Sequence, residues 1–543
     1  FAGTATSSDV YNALATAITN GTVNVTFSSE DKSETITRKY NDNGPAGSTS
    51  WGVSESMNLK PDVMAPGGNI WSAGAASDTA LSSKSGTSMA SPNAEGLFIL
   101  SQQYVDDNLD TFGVKTGTHE YVELINQLVA STAVAYQPFV SSSDLTRQNL
   151  YFSPRRQGAG MVNIENVMNS LVLLHNDTQF NPVTGDSPRT KVQLGDKLDT
   201  NFDITFTMDN YDSVAKTFDV LACLQTDNTT ESDGRTIIAP VNTYGSDIDA
   251  IEDSVMKVTA VSNGTIVSAS DNINRYNNDA SVTKISVPAN SSTKITVNVT
   301  LNEETMKAYD EKYPNGMFLE GFVFFDNVDS DYETLSIPYL GFRGDWNAAP
   351  IFDLATAYDD ISELNTTDKK YPLFHTTTLN SLVDGYDVVL GANQFTGTSL
   401  PDYFGGSSTS YYNTIRNYLD GLRTDGELNG SYVTISPNED GKDDIAYAAL
   451  YLLRNAKALC VVIKDETGNI VNVIGPEYEY FEAKVNDGNR TQQAALTYGT
   501  KYNRQMYWDG TDFDGNLVKE GNYTFEVRAI QEYEYLNSVD YGD

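Results

Sequence analysis

Apolar residues recur at helical spacing between residues 88 and 105, where Ala90, Ala94, Leu97, Phe98 and Tyr104 fall on one side of a helix. A second amphipathic helix is predicted near residues 121–132, with Val122, Ile125, Leu128 and Val129 on one face. A helix over 8–18 and a short strand over 23–27 precede them. Strand-like pieces broken by Gly, Pro and Ser fill the interval, so this part reads as an α/β layer. Beyond about residue 172 the period drops to two. Residues 201–208 and 293–300 alternate apolar and polar side chains, and 322–325 is an apolar run suited to a buried strand. Polar turns such as 277–279 separate them, the texture of an antiparallel β-sandwich. Residues 341–350 form a boundary. A second β-rich block follows, with strands predicted near 459–464 and 522–528.

Composition narrows the function classes. Against 35 basic side chains stand 73 acidic ones, a formal net charge of −38. A nucleic-acid binder needs a basic footprint, so that class is excluded. Such acidity suits a soluble protein outside the cell. Cys223 and Cys460 lie in apolar strand-like runs and read as buried free thiols; two cysteines make neither a disulfide framework nor a zinc finger. No run of ~18 apolar residues predicts a membrane span. The chain opens on Phe1 without a signal-peptide core and reads as a processed or truncated product. Three or four domains of ~100–200 residues fit its length.

The sharpest chemical signal is Lys84-Ser-Gly-Thr-Ser-Met-Ala-Ser-Pro92, which runs straight into the long apolar helix. Gly86 permits a tight turn and close approach of a substrate. Ser88 then stands at a helix N-terminus, where unpaired N–H groups and the dipole favour negative charge on an alkoxide or oxyanion. The bland alternative is that Ser88 is a plain N-cap. Upstream stand Trp51-Gly52 and Lys60-Pro-Asp-Val-Met-Ala-Pro-Gly67; downstream stands Ser153-Pro-Arg-Arg-Gln-Gly-Ala-Gly-Met-Val162.

In this order the three motifs resemble the serine segment of the subtilisin-like proteases, in the streptococcal C5a peptidase and lactococcal cell-envelope proteinase branch. The resemblance implies a multidomain chain: the C-terminal part of an α/β subtilisin-like catalytic domain followed by two fibronectin-III-like β-sandwiches. Residues 1–28, with Leu14 to Phe27, resemble the tail of a protease-associated insert. Residues 29–172 correspond to the catalytic part, 173–345 to the first sandwich and 346–543 to the second. Tyr313 to Val323 and Leu335 to Gly344 resemble the end of the first sandwich. Ile435 to Asp444, Arg454 to Lys457 and Trp508 to Gly515 resemble parts of the second. The activity implied is a serine endopeptidase acting on protein or peptide, extracellular or attached to the envelope of a Gram-positive bacterium. Asp62 matches a structural position of the family and is not a triad acid.

A Ser-His-Asp triad also needs a general base and its orienting acid. In this family both, with the oxyanion Asn, precede the serine. The three histidines here are His119, His175 and His375, all after Ser88, and each reads as a surface or helix-start residue. The chain alone is therefore expected to be inactive, and an N-terminal protease chain carrying Asp, His and Asn is the expected partner. A rival of another class is a non-catalytic surface adhesin or scaffold on a degenerate protease domain. The chemistry needs no cofactor. Asn438, Asp440 and Asp444, and likewise Asp509, Asp512 and Asp514, bunch oxygens on Gly turns, so structural calcium is one expectation and an Asp/Gly turn between strands the other. Arg343 and Asp345 are candidates for a pair across the domain boundary, with a solvated turn the equal alternative.

Overall fold

The computed structural model describes residues 44–352, except 55, 142–143, 145, 178–187, 233–234, 240–244, 246 and 331–333. Further along it describes 381–383, 423–424, 427–428, 434–440, 443–449, 454, 456–477 and 507–531. The elements predicted within 8–27, with the assignment of residues 1–28, lie outside the described residues, as does His375.

The first predicted helix is Thr87–Asp106 and the second is His119–Ser131. Thr118 starts the latter, its hydroxyl accepting the Tyr121 N–H at 3.3 Å. The buried face of this helix differs from the predicted one. Tyr121, Leu124, Ile125, Leu128 and Val129 point inward, whereas Val122 is 51% exposed. Tyr121, Ile125 and Leu128 follow i, i+4, i+7, and Val122 is turned about 100° from that stripe. Both helices share a core with Phe112, Val162, Val167 and Leu173.

The period-two segments become the strands Asn201–Asn210 and Ser291–Thr300, paired antiparallel along their length with Val297 opposite Ile204. Their inward residues Ile204, Phe206, Met208, Ile295, Val297 and Val299 are all fully buried. The sheet runs in the order Val255–Ser262, Ser291–Thr300, Asn201–Asn210, Val172–His175. A larger sheet faces it, in the order Thr265–Ser268, Thr283–Val287, Lys216–Asp227, Met317–Asn327, Thr334–Arg343, Val192–Gln193, with Ile248–Ala250 also paired to Lys216–Asp227. One core of aliphatic and aromatic side chains fills the space between them. Cys223 is wholly buried in Lys216–Asp227, and burial lifts its thiol to about 11. Cys460, in Ala458–Asp465, is only half-buried; both thiols are free.

The strand Val172–His175 serves both bodies. Val172 and Leu174 belong to the sandwich core, while Leu173 between them belongs to the helical core, as strand alternation requires. His175 on this strand is buried rather than exposed, because its Nε2 lies 3.0 Å from an Asp209 carboxylate oxygen across the sheet. Burial pushes the Asp209 carboxyl up, but its bonds with His175 and Ser292 and the nearby Arg189 charge outweigh this and hold it below its ordinary value.

A buried ion cluster closes the seam. Arg155 Nε donates to Glu320 at 2.9 Å and its Nη2 to Asp227 at 2.5 Å, both on strands of the larger sheet. Burial alone would lower the guanidinium pKa, but the two carboxylates raise it above its usual range, whereas burial raises Glu320. Tyr151 packs beside the cluster on Phe322 and Phe324, and Gln225 donates to its carbonyl at 3.0 Å.

In the C-terminal block, Ala458–Asp465 pairs with Ile470–Glu477 on one side and Tyr523–Ile530 on the other. A second sheet contains Ser381–Val383, Ala446–Ala449 and Tyr507–Trp508. Leu459, Val461 and Ile463 share one core with Trp508 and Ile351. The predicted strands at 459–464 and 522–528 are thus present within a residue or two. Arg343 and Asp345 do not pair with each other. Arg343 forms two bonds of 2.8 Å to Asp310, and Asp345 lies 3.1 Å from Lys197.

Two outcomes follow from the seam. Arg155→Ala leaves two buried carboxylates uncompensated and is expected to cost about 3–5 kcal/mol, measured by denaturant unfolding. Asp209 contributes stability that is full above about pH 4 and is lost as pH falls through its lower folded pKa. Asp209→Asn therefore flattens the acid limb of a melting-temperature profile.

Candidate active site around Ser88

Ser88 is not the cap of its helix. Gly86 occupies that position at φ 155°, a conformation that side chains disfavour, and no side chain caps it. Ser88 is the second helical residue and is exposed. Met89 and Ala90 N–H groups bond the Gly86 carbonyl at 3.0 and 3.2 Å. The Thr87 and Ser88 N–H groups precede the first intrahelical donor and so face outward with the positive end of the helix dipole. Pro92 lies four residues on and has no N–H, so the Ser88 carbonyl lacks its i+4 donor.

The upstream Lys60 to Gly67 motif is the floor of this turn. Gly86 N–H bonds the Gly67 carbonyl at 2.9 Å. Asn93 Nδ2 bonds the Pro66 carbonyl at 2.8 Å, and Asn69 N–H bonds Ser85 Oγ at 2.8 Å. A Cβ on Gly67 would stand 2.8 Å from the Gly86 carbonyl oxygen and 3.0 Å from the Ala90 Cβ. Sequence reasoning singled out the glycines but not Asn69, Ser85 and Asn93; the Asn and Ser types flanking a Gly turn were the available signal.

The third motif braces the second. Met64 N–H bonds Gly160 O at 2.7 Å, Ala159 N–H bonds Asp62 O at 2.9 Å and Val162 N–H bonds Met64 O at 2.9 Å. Asp62 has a structural environment: its carboxylate takes Lys191 Nζ at 2.9 Å and Lys60 Nζ at 2.8 Å. Burial opposes its ionisation, but the two ammonium groups prevail and lower its pKa. Lys191 is itself buried and also donates to the Leu59 carbonyl at 2.6 Å.

Neither described histidine is joined to Ser88. His119 is the first residue of its helix and lies 3.2 Å from Glu123, while His175 is held by Asp209 in the seam. The acidic loops act as turn caps. One Asp444 oxygen accepts the N–H groups of Asn438 and Glu439 at 3.0 and 2.8 Å, and Asn438 Oδ1 accepts Asp440 N–H at 3.0 Å. Asp509 caps Thr511, and Asp512 accepts Asp514 and Asn516 N–H at 3.0 and 2.9 Å. Among the described residues no group of three or more His, Cys, Asp and Glu side chains is gathered as metal ligands.

The fit of Gly67 under the serine turn has a measurable consequence. Gly67→Ala is expected to lower stability by about 1–3 kcal/mol through overcrowding, read from its unfolding midpoint.

Residues 4–160 match the subtilase family and residues 192–340 an Fn3-like domain. The chain is 28% identical over 509 residues to a C5a peptidase of Streptococcus pyogenes, covering 88% of this chain and 37% of that protein. It is 27% identical over 504 residues to a PII-type proteinase of Lactococcus lactis subsp. cremoris, covering 91% of this chain and 22% of that one. The chain thus spans 37% of the length of the first of these relatives and 22% of the second. The serine turn and its two bracing motifs thus lie in a segment that matches the subtilase family, followed by a sandwich that matches an Fn3-like domain and by a sheet-rich C-terminal region.

Proposed function

We propose that the chain is the nucleophile-bearing part of an extracellular or envelope-attached serine endopeptidase. The observation that carries this is Ser88, exposed in the first turn of Thr87–Asp106 behind a glycine turn, within the segment that matches the subtilase family. Ser88 Oγ attacks the scissile carbonyl of a protein or peptide as its proton passes to a histidine. The Ser88 N–H supplies one donor to the developing oxyanion. The amine leaves with the histidine's proton, and water hydrolyses the acyl-enzyme.

In this reading the histidine, its aspartate and the oxyanion Asn come from sequence N-terminal to this chain. The helix itself supports that reading: Ile99 and Leu100 on Thr87–Asp106 are 58% and 49% exposed, and Trp71 and Leu81 on the hairpin before it are 67% and 69% exposed. Large apolar side chains left exposed on the helix and the hairpin are what a surface covered by another part of a protease would present. No helix among the described residues is long and apolar enough to cross a membrane.

Peptide hydrolysis is the test. The chain alone is expected to show none, and the assembly with its N-terminal portion is expected to show turnover that Ser88→Ala lowers by about 10⁴–10⁶-fold. Full activity from the separated chain contradicts the divided site. An inactive assembly with intact upstream Asp and His favours the adhesin or scaffold. The acidic turns carry a separable proposal, structural calcium at Asn438, Asp440 and Asp444 or at Asp509, Asp512 and Asp514. A chelator then lowers the melting temperature and calcium restores it; an unchanged value leaves these side chains as turn caps alone.

A further inference from the structure

The Arg155 guanidinium does more than close the seam. Its central carbon lies 4.1 Å from the centre of the Phe318 ring and 5.3 Å from that of Trp51. Phe318 also meets Trp346, with ring centres 5.7 Å apart, and Phe342 meets both rings at 5.2 Å. Trp346 is the first residue of the short helical turn Trp346–Ala348, which leads out of the Fn3-like domain. Its other neighbour belongs to the C-terminal block: the Arg454 guanidinium lies 4.7 Å from the Trp346 ring centre.

Cations and rings at these spacings attract one another, because each cation lies over a ring face, Phe342 meets Phe318 and Trp346 edge-on, and the Phe318 and Trp346 rings are tilted by 57°. The sequence Trp51, Arg155, Phe318, Trp346, Arg454 is therefore one unbroken stack through all three parts of the chain. Backbone bonds fix its far end. Arg454 Nη1 donates to the carbonyls of Trp346 and Ala349, and Gln531 Nε2 donates to those of Asn347 and Ala349 at 3.2 and 2.9 Å. Asp196 of the Fn3-like domain accepts the Trp346 N–H at 3.0 Å. The exit segment is thus gripped from both sides, with Trp346 between the grips.

We propose that Trp346 is the residue that sets the orientation of the C-terminal block on the rest of the molecule, by joining the Arg155 stack of the seam to Arg454. Residues 344–352 then behave as a splint rather than a flexible linker. The proposal is independent of the catalytic reading, since it concerns only how the domains are held.

The test compares the full chain with Trp346→Ala, Trp346→Phe and Arg454→Lys. In Trp346→Ala, calorimetry is expected to resolve a separate, lower transition for the C-terminal block, while the transition of the other two parts stays in place. X-ray scattering is expected to show a larger radius of gyration, and limited proteolysis at 344–352 to quicken by about tenfold. Trp346→Phe keeps a ring in the stack and is expected to restore most of the native behaviour. Arg454→Lys loses the planar face and is expected to fall between them. A Trp346→Ala chain with the native radius of gyration and unchanged cleavage overturns the proposal. So does a Trp346→Phe chain as loose as Trp346→Ala. Should Trp346→Ala fail to fold, Arg454→Lys decides by the same scattering and cleavage readouts.

Discussion

One buried guanidinium holds this molecule in register. Arg155 meets Glu320 and Asp227 in a buried seam, and it sits in the stretch that braces the serine turn. Its carbonyl accepts the Gly52 N–H at 2.8 Å, and residues 159–162 after it pair with Asp62 and Met64. Those residues lead to Gly67, on which the Gly86 turn rests. The sandwich therefore supports the Ser88 turn through a short chain of backbone hydrogen bonds. Buried ion pairs add little over well-packed apolar groups, but they punish loss of one partner severely. Such an interaction selects one docking geometry more than it adds stability.

The same logic explains why the two bodies share a strand. A strand presents alternate residues to opposite sides, so Val172–His175 can finish the sandwich with Val172 and Leu174 while Leu173 seals the helical core. A boundary drawn at residue 172 from the change of period falls inside this element. Periodicity locates the change of texture, but the sharing of one strand depends on a helix and a sheet far apart in sequence.

Much of the rest was legible. The helices and the alternating strands announce themselves by period, because their burial is one-sided. The serine turn is legible because its chemistry demands particular residue types, with glycines at 67 and 86 where a Cβ or an ordinary φ would not fit. The seam was not. Arg155 and Glu320 are 165 positions apart, and a buried charge has no local signature that separates it from a solvated one. For the same reason His175 reads as exposed until Asp209 is found across the sheet. Val122 falls off the buried face because several apolar residues in one helix allow two faces a single step apart. Arg343 and Asp345 stand close in sequence, yet each finds its partner on a different element, Asp310 and Lys197.

The central claim is that Ser88 is a nucleophile made reactive by groups outside this chain. It is tested most directly by reacting a fluorophosphonate with the chain alone and with the assembly that includes its N-terminal portion, and locating the adduct by peptide mass spectrometry. The account predicts an adduct on Ser88 in the assembly and none in the separated chain. An assembly with no adduct, or with the adduct on another serine, contradicts it.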